Sequence, residues 1–271
     1  MITSIINPYN YQEYYNNNEF VNGPFIISLE KDIEKYNNAK QILEKLQLQP
    51  IKFDAINGME LKNNRPDIVN KFKYLNDGEI GCFISHFLIY YIASQHPNPD
   101  QYTMIFEDDI GTDIDAKTFN NKLNNAIKYN KDLIYLGKCA ELCFMTKQVY
   151  DDLYTGYQPY CMHAYMIKNS FAKKVVNDVN KLEIINLPID RIIFNSIKEN
   201  QILEYHPSLF YQDPKYPSSL RGTILQIANE LECRDLPNLP KKLMRVHQTK
   251  IWIILLITMF IVAIIFLYKM S

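Results

Sequence analysis

Three consecutive carboxylates, Glu107, Asp108 and Asp109, follow an apolar run of strand-forming residues at 102–106. Three acids at the end of a buried strand are costly unless a cation neutralises them, because burial disfavours the charged form. Mn²⁺ or Mg²⁺ suits such a position, since both take carboxylate oxygens together with substrate phosphates. The run predicts a divalent-cation site, although an acidic run in a loop is more often a solvated face or a helix cap.

A second candidate site lies in the run GEIGCFISH at residues 78–86. Gly78 and Gly81 stand at a predicted helix start, where they permit close backbone approach, and a helix N-terminus favours an anion such as a pyrophosphate. Ser85 and His86 lie further along the same helix. The run predicts a phosphate-binding helix start, while a structural role is the more frequent one for a histidine such as His86.

Strands and helices alternate around these two runs. Apolar runs predict strands at residues 25–29, 51–56, 102–106, 133–137 and 161–167. Helical spacing predicts helices at 32–48, 79–95, 116–129 and 170–180, and one from Pro188. This order predicts an α/β fold with an open, mostly parallel central sheet. Ligands of such sheets bind beyond the carboxyl ends of the strands, and the acidic run lies at such an end.

Composition excludes several classes of protein. The chain has 271 residues, with 29 lysine and arginine residues against 30 aspartate and glutamate residues, and its net charge is -1. That length suits one sizeable domain. Without a basic face, no nucleic-acid partner is expected. The five cysteines are dispersed, so we expect free thiols in a reducing compartment rather than a disulfide framework.

The C-terminal region has the composition of a membrane anchor. Residues 251–268 contain no charged side chain, and a helix of that length would span about 27 Å, close to a thin bilayer core. The basic residues before it leave the N-terminal part in the cytoplasm by the positive-inside rule, and no secretory signal opens the chain. We therefore expect four segments: an extension at 1–24, a folded domain at 25–235, a basic linker at 236–250 and a C-terminal transmembrane helix at 251–268. The resulting localisation is a single-pass, tail-anchored protein whose domain faces the cytoplasm.

The run GEIGCFISH and the later run MIFEDDI, at 104–110, together resemble glycosyltransferase family 25. This family includes bacterial lipooligosaccharide galactosyltransferases and procollagen galactosyltransferases. FIISLEKD stands where the family's first strand ends, and DLIYLG, HAYMI, PID and HPSLFYQD follow in the family's order. The resemblance covers residues 25–222. It implies a GT-A-like nucleotide-sugar-binding domain, a UDP-sugar donor, usually UDP-galactose, and inverting, metal-assisted transfer of a hexose to an acceptor hydroxyl.

Carried over onto this sequence, the resemblance also implies roles for single residues. Asp109 and Glu107 would hold Mn²⁺ (or Mg²⁺), with His206 as a third ligand; a structural histidine before Pro207 is the alternative. Asp190, in the PID run, would be the general base that takes the acceptor proton, or else only a helix cap. The donor-binding residues would be Ser28, Leu29, Gly78, Glu79, Gly81, Ser85, His86, Glu107 and Asp108.

The match departs from the family after the first strand, where Ser28-Leu29-Glu30-Lys31 stands in place of Asn-Leu and the arginines that follow it. This departure leaves open a second hypothesis, a catalytically inactive glycosyltransferase-fold membrane scaffold. A metal-dependent phosphohydrolase is a third, although it would normally use more histidine and aspartate ligands. The acceptor stays open between protein hydroxylysine, a glycan and a lipid-linked sugar, as does galactose against glucose. The asparagine-rich composition and the predicted anchor suggest a large DNA virus as the source.

Overall fold

The computed structural model describes residues 21–138, 146–156 and 159–216. The strands are β1 (Val21–Ser28), β2 (Ile51–Asp54), β3 (Tyr102–Glu107), β4 (Ile110–Gly111), β5 (Leu133–Gly137), β6 (Lys147–Tyr150), β7 (Leu153–Thr155), β8 (Ala164–Lys168), β9 (Ile202–Tyr205) and β10 (Tyr211–Gln212). The helices are α1 (Ile33–Lys45), α2 (Gly58–Asn64), α3 (Pro66–Val69), α4 (Asp77–Ser94), α5 (Ala116–Ile127), α6 (Asn169–Lys181) and α7 (Ile189–Ser196). Residues 21–24 of the predicted extension belong to β1.

The central sheet is mixed, so the prediction of a mostly parallel sheet is wrong. Its strand order is β2-β1-β3-β8-β5-β9-β7-β6, and β4 pairs with β10 separately. β1 is parallel to β2 and β3, and β5 is parallel to β9. β8, however, lies antiparallel between β3 and β5, and β7 is antiparallel to both of its neighbours. All five residues of β8 are buried, and a strand covered on both faces has the same apolar pattern in either direction.

Helices cover both faces of the sheet and form two apolar cores. On one face α4, α6 and α7 pack over the strands through residues such as Phe83, Val175 and Ile193. On the other face α1 and α5 contribute Leu43 and Phe119. α4 is buried along most of its length, because it lies between the sheet and the other helices of its layer. Of the site residues on α4, Gly81, Ser85 and His86 are therefore buried, whereas Gly78, Glu79 and Cys82 keep some exposure.

The predicted membrane helix requires a correction. Within the described ranges, no helix combines the length and the apolar character needed to cross a bilayer. The predicted segment 251–268 and the linker 236–250 lie outside those ranges. The fold class is thus corrected to a mixed α/β domain, and the single-pass, tail-anchored localisation is withdrawn. The predicted anchor had rested on hydropathy, which measures how apolar a segment is and not what the segment packs against.

Candidate active site

The acidic run lies at the carboxyl edge of the sheet, as predicted. β1 and β3 run side by side, with Ile27 paired to Glu107, so Ser28 and Glu107 end their strands at the same place. Asp108 and Asp109 form the turn from β3 into β4. The parallel pairing of these two strands therefore brings together residues that are far apart in the sequence.

A cavity of about 370 Å³ opens at this edge, a volume typical of sites for small ligands. We call it the large cavity. Eight of the nine predicted donor-binding residues line it, and Glu79 does not. Asp109, predicted to bind metal, lines it as well. The structure thus assembles most of the predicted donor site around one opening.

Asp109 is a deeply buried acid of this cavity. Its Oδ2 accepts a hydrogen bond from Gln212 Nε2 at 3.1 Å, and among the described residues its buried Oδ1 has no hydrogen-bond partner. Burial, together with the charges of Glu107 and Asp108, raises the pKa of Asp109 to about 8. Burial also raises the pKa of Asp108 to about 6, against a hydrogen bond from Ser28. A cation would satisfy the buried oxygen and restore the charged form of these acids, so the residues fit a divalent cation.

Two lysines supply positive charge where the family pattern has arginines. Lys31, just after β1, and Lys35, in the first turn of α1, both line the large cavity. The charge of Lys35 lowers the pKa values of Asp108 and Asp109, although burial outweighs it. Sequence reasoning missed both residues because it looked for arginine. The only signal was their position between the end of the first strand and the first turn of α1.

Gly81 and Ser85 fasten α4 to the loop that follows β2. A Cβ on Gly81 would lie 2.4 Å from the carbonyl oxygen of Ile56. Ser85 Oγ accepts from the Ile56 N–H at 2.8 Å and donates to the Gly81 carbonyl at 2.7 Å. Both residues thus have a packing role besides lining the cavity. At the start of α4, Glu79 exchanges hydrogen bonds with Asn76 in a capping box, which orients its carboxylate.

His86 connects the acidic edge to a buried pair of tyrosines. Its Nε2 lies 3.3 Å from Glu107 Oε1, and its Nδ1 lies 2.8 Å from the Tyr165 hydroxyl. The Tyr165 hydroxyl in turn lies 2.6 Å from that of Tyr90. Burial raises the pKa of both tyrosines well above the usual value, so they stay neutral hydrogen-bonding groups. His86 is 1% exposed, and this series of hydrogen bonds sets the orientation of its ring.

A second, small cavity of about 90 Å³ adjoins the first and contains Asp190. Asp190 lies in the first turn of α7, is mostly buried, and accepts a hydrogen bond from the Arg191 N–H at 2.8 Å. Among the predicted acids, Glu79 and Asp190 line only the small cavity, and Asp108 and Asp109 line only the large one. Cys82, His86 and Glu107 line both cavities. These last three residues form the wall between the two cavities.

His206 contacts a different group of residues. Its Nε2 lies 2.9 Å from Glu204 Oε1, and its ring packs against Tyr154. Lys138 Nζ lies 4.0 Å from the other oxygen of Glu204. His206 is not among the described residues that line either cavity. Its role as a metal ligand stays a prediction that this geometry does not support.

Sequence reasoning also missed Cys82 and Gln212. Cys82 is a reduced thiol, and only its place in GEIGCFISH, one helical turn before His86, pointed to the site. Gln212 reaches Asp109 because β10 pairs with β4, a contact with no local signal. Cys161, which lines the small cavity, is disulfide-bonded. The expectation of free thiols is therefore wrong for Cys161.

The fold and the site together define a class: an α/β protein with an acid-lined ligand cavity at the carboxyl edge of its sheet. The model of glycosyltransferase family 25, described as an LPS biosynthesis protein, matches residues 21–193. The chain therefore belongs to glycosyltransferase family 25, and the expected family is confirmed. Glycosyl transfer is the general chemistry that this membership supports.

Similarity to individual proteins is more limited. A glycosyltransferase 25 family member of Drosophila pseudoobscura pseudoobscura is 30% identical over 129 residues, and one of Drosophila melanogaster is 27% identical over 129 residues. Each match covers 42% of this chain and 20% of the relative, so the chain spans about a fifth of their length. The crystal structure of the glycosyltransferase GlyE of Streptococcus pneumoniae TIGR4 is 11% identical, with a TM-score of 0.37, covering 82% of this chain and 63% of that one. That likeness is too weak to carry an argument. None of these matches supports the suggested viral source.

Proposed function

We propose that this chain transfers a hexose, galactose or glucose, from a UDP-sugar to an acceptor hydroxyl, with inversion at the anomeric carbon. The observation that carries the proposal is the group of three carboxylates at a ligand-sized cavity, in which the buried Oδ1 of Asp109 has no hydrogen-bond partner among the described residues. Such a group suits Mn²⁺ or Mg²⁺ bound together with a diphosphate. Membership of a glycosyltransferase family makes a nucleotide-sugar the expected source of that diphosphate.

In this proposal the large cavity holds the donor. Asp109 and Glu107 would hold the cation, which supplies charge neutralisation on the departing diphosphate. Lys31 and Lys35 line the same cavity and offer ammonium groups to phosphate oxygens. The start of α4 at Gly78 adds the positive end of a helix dipole. The lysines would thus take over the charge that arginines carry in the family pattern.

The acceptor would enter through the small cavity, where Asp190 is suited to act as general base. Asp190 would take the proton of the acceptor hydroxyl while that oxygen bonds to the anomeric carbon and the bond to UDP breaks. The small cavity, of about 90 Å³, is too small for a nucleotide-sugar and large enough for the end of an acceptor. Glu107 lines both cavities, so the transfer would occur where they meet.

UDP release from UDP-galactose and UDP-glucose tests this proposal without a known acceptor, because water can replace the acceptor. The 271-residue chain would be assayed with and without Mn²⁺ beside Asp109→Asn. Asp151→Asn, the same change at an exposed turn, is the matched control. Mn²⁺-dependent release that is lost only in Asp109→Asn would support the enzyme and identify the sugar. Absence of both turnover and Mn²⁺-dependent UDP binding would favour the inactive scaffold.

A further inference from the structure

Three metal-binding side chains of different chemical types meet in the wall between the cavities. Cys82 and His86 lie one turn apart on α4, so they share a helix face, and Glu107 reaches them from the end of β3. Their ligand atoms all lie within 4.8 Å of one another. Cys82 is partly exposed and reduced, and the small and large cavities give a cation access from either side.

This set of atoms suits zinc better than manganese or magnesium. Thiolate and imidazole are preferred zinc ligands, whereas Mn²⁺ and Mg²⁺ favour sites made of oxygen. Bonds of about 2.0–2.2 Å at a tetrahedral angle place a nitrogen and an oxygen ligand about 3.3–3.5 Å apart. His86 Nε2 and Glu107 Oε1 are already 3.3 Å apart. Three protein ligands leave the fourth position to water, as in other open zinc sites.

The hydrogen bonds on the Nδ1 side of His86 favour the tautomer that zinc binding requires. Binding through Nε2 needs the proton on Nδ1, which can donate to the Tyr165 hydroxyl at 2.8 Å. The Tyr165 hydroxyl can then donate to Tyr90 at 2.6 Å, and Tyr90 to the Met162 sulfur at 3.8 Å. Such a partner on the second ring nitrogen fixes the orientation of histidines that bind zinc. Without a cation these hydrogen bonds can take the opposite direction. Tyr90 then donates to Tyr165, Tyr165 donates to Nδ1, and Nε2–H donates to Glu107.

We propose that Cys82, His86 and Glu107 bind a zinc ion, and that this ion blocks glycosyl transfer. Zinc binding stands independently of the proposed function, whereas the block rests on it. Zinc would engage Glu107 and draw it away from Asp109, and it would occupy the junction between the donor and acceptor cavities. The site would thus make the enzyme sensitive to zinc through a thiol that the transfer chemistry does not use.

Cobalt(II) is the probe for the binding step, because a tetrahedral cobalt–thiolate site has strong visible bands and a thiolate charge-transfer band that a site made only of oxygens lacks. The 271-residue chain would be titrated with CoCl₂ in excess Mg²⁺, and ZnCl₂ would then displace the cobalt to report the zinc affinity. We expect one equivalent with these bands. Cys82→Ser should lose the charge-transfer band, and His86→Gln should weaken binding at least tenfold. Tyr165→Phe should weaken it about 10–100-fold through the ring orientation.

Asp109→Asn is the matched control, since it removes an acid of the Mn²⁺ site and should leave the cobalt bands intact. Thermal melting of each variant without metal checks that it is folded. Bands that persist in Cys82→Ser would place the metal on other thiols, and absence of bands in the parent would exclude the site; either result overturns the proposal.

The block is tested by adding zinc to the UDP-release assay. Half-inhibition of Cys82→Ser, measured relative to its own zinc-free rate, should need at least tenfold more zinc than half-inhibition of the parent chain. A chain without transferase activity would still give the cobalt result, so the two proposals fail separately.

Discussion

The raised pKa of Asp109 makes Mn²⁺ binding steeply dependent on pH. Asp109 must lose its proton before it can bind a cation, and its pKa without metal is about 8. For a carboxyl with this pKa, about 1% is ionised at pH 6 and about half at pH 8. The apparent Mn²⁺ affinity should therefore rise about fifty-fold between pH 6 and pH 8. An ordinary aspartate, with a pKa of about 3.9, would give a flat profile over this range.

The assay counts free Mn²⁺ by its electron paramagnetic resonance signal. Nucleotide is left out, because the phosphates of UDP titrate in the same window. Asp109→Asn should bind weakly at every pH and lose the slope, while Asp151→Asn should follow the parent chain. An affinity that changes less than about twofold from pH 6 to pH 8 would refute the reasoning. It would mean that Asp109 is already ionised at pH 6, or that the cation binds elsewhere.

Three further predictions concern other parts of the site. Asp190→Asn should lower the turnover of a true acceptor about 10²–10⁴-fold while UDP affinity is kept, and a loss of UDP affinity would contradict the role of base. Lys35→Met removes a charge that lowers the pKa of Asp109, so the midpoint of Mn²⁺ binding should move to higher pH; Lys40→Met, at a half-exposed position on the same helix, should leave that midpoint in place. Gly81→Ala places a Cβ 2.4 Å from a backbone carbonyl, and should destabilise the fold by about 1–3 kcal/mol in denaturant melts; unchanged stability would show that the loop after β2 can move aside.

Local pattern alone located most of the elements that build the site. The apolar run before Glu107 predicted β3, and the run from 133 to 137 coincides with β5. These predictions hold because a strand buried on both faces gives a continuous apolar run, and a helix with one buried face gives apolar residues at helical spacing. The edge hairpin of β6 and β7 carries no such mark. All four residues of β6 are exposed, so its short run KQVY shows neither a buried apolar run nor a clear alternation that would distinguish it from a loop.

The direction of β8 and the composition of the site depended on the tertiary structure. The amino-acid sequence by itself determined that an acidic run would end a buried strand, and that GEIGCFISH would form a helix. The tertiary structure then decided that Lys35 and Gln212 would both act on Asp109, and that Cys82 would lie close to Glu107. Periodicity records whether a residue is buried, and it does not record which distant residue buries it. Contacts between distant residues follow from the order and direction of the strands. A buried apolar run fits a sheet equally well at several positions and in either direction, so its own sequence does not fix these contacts.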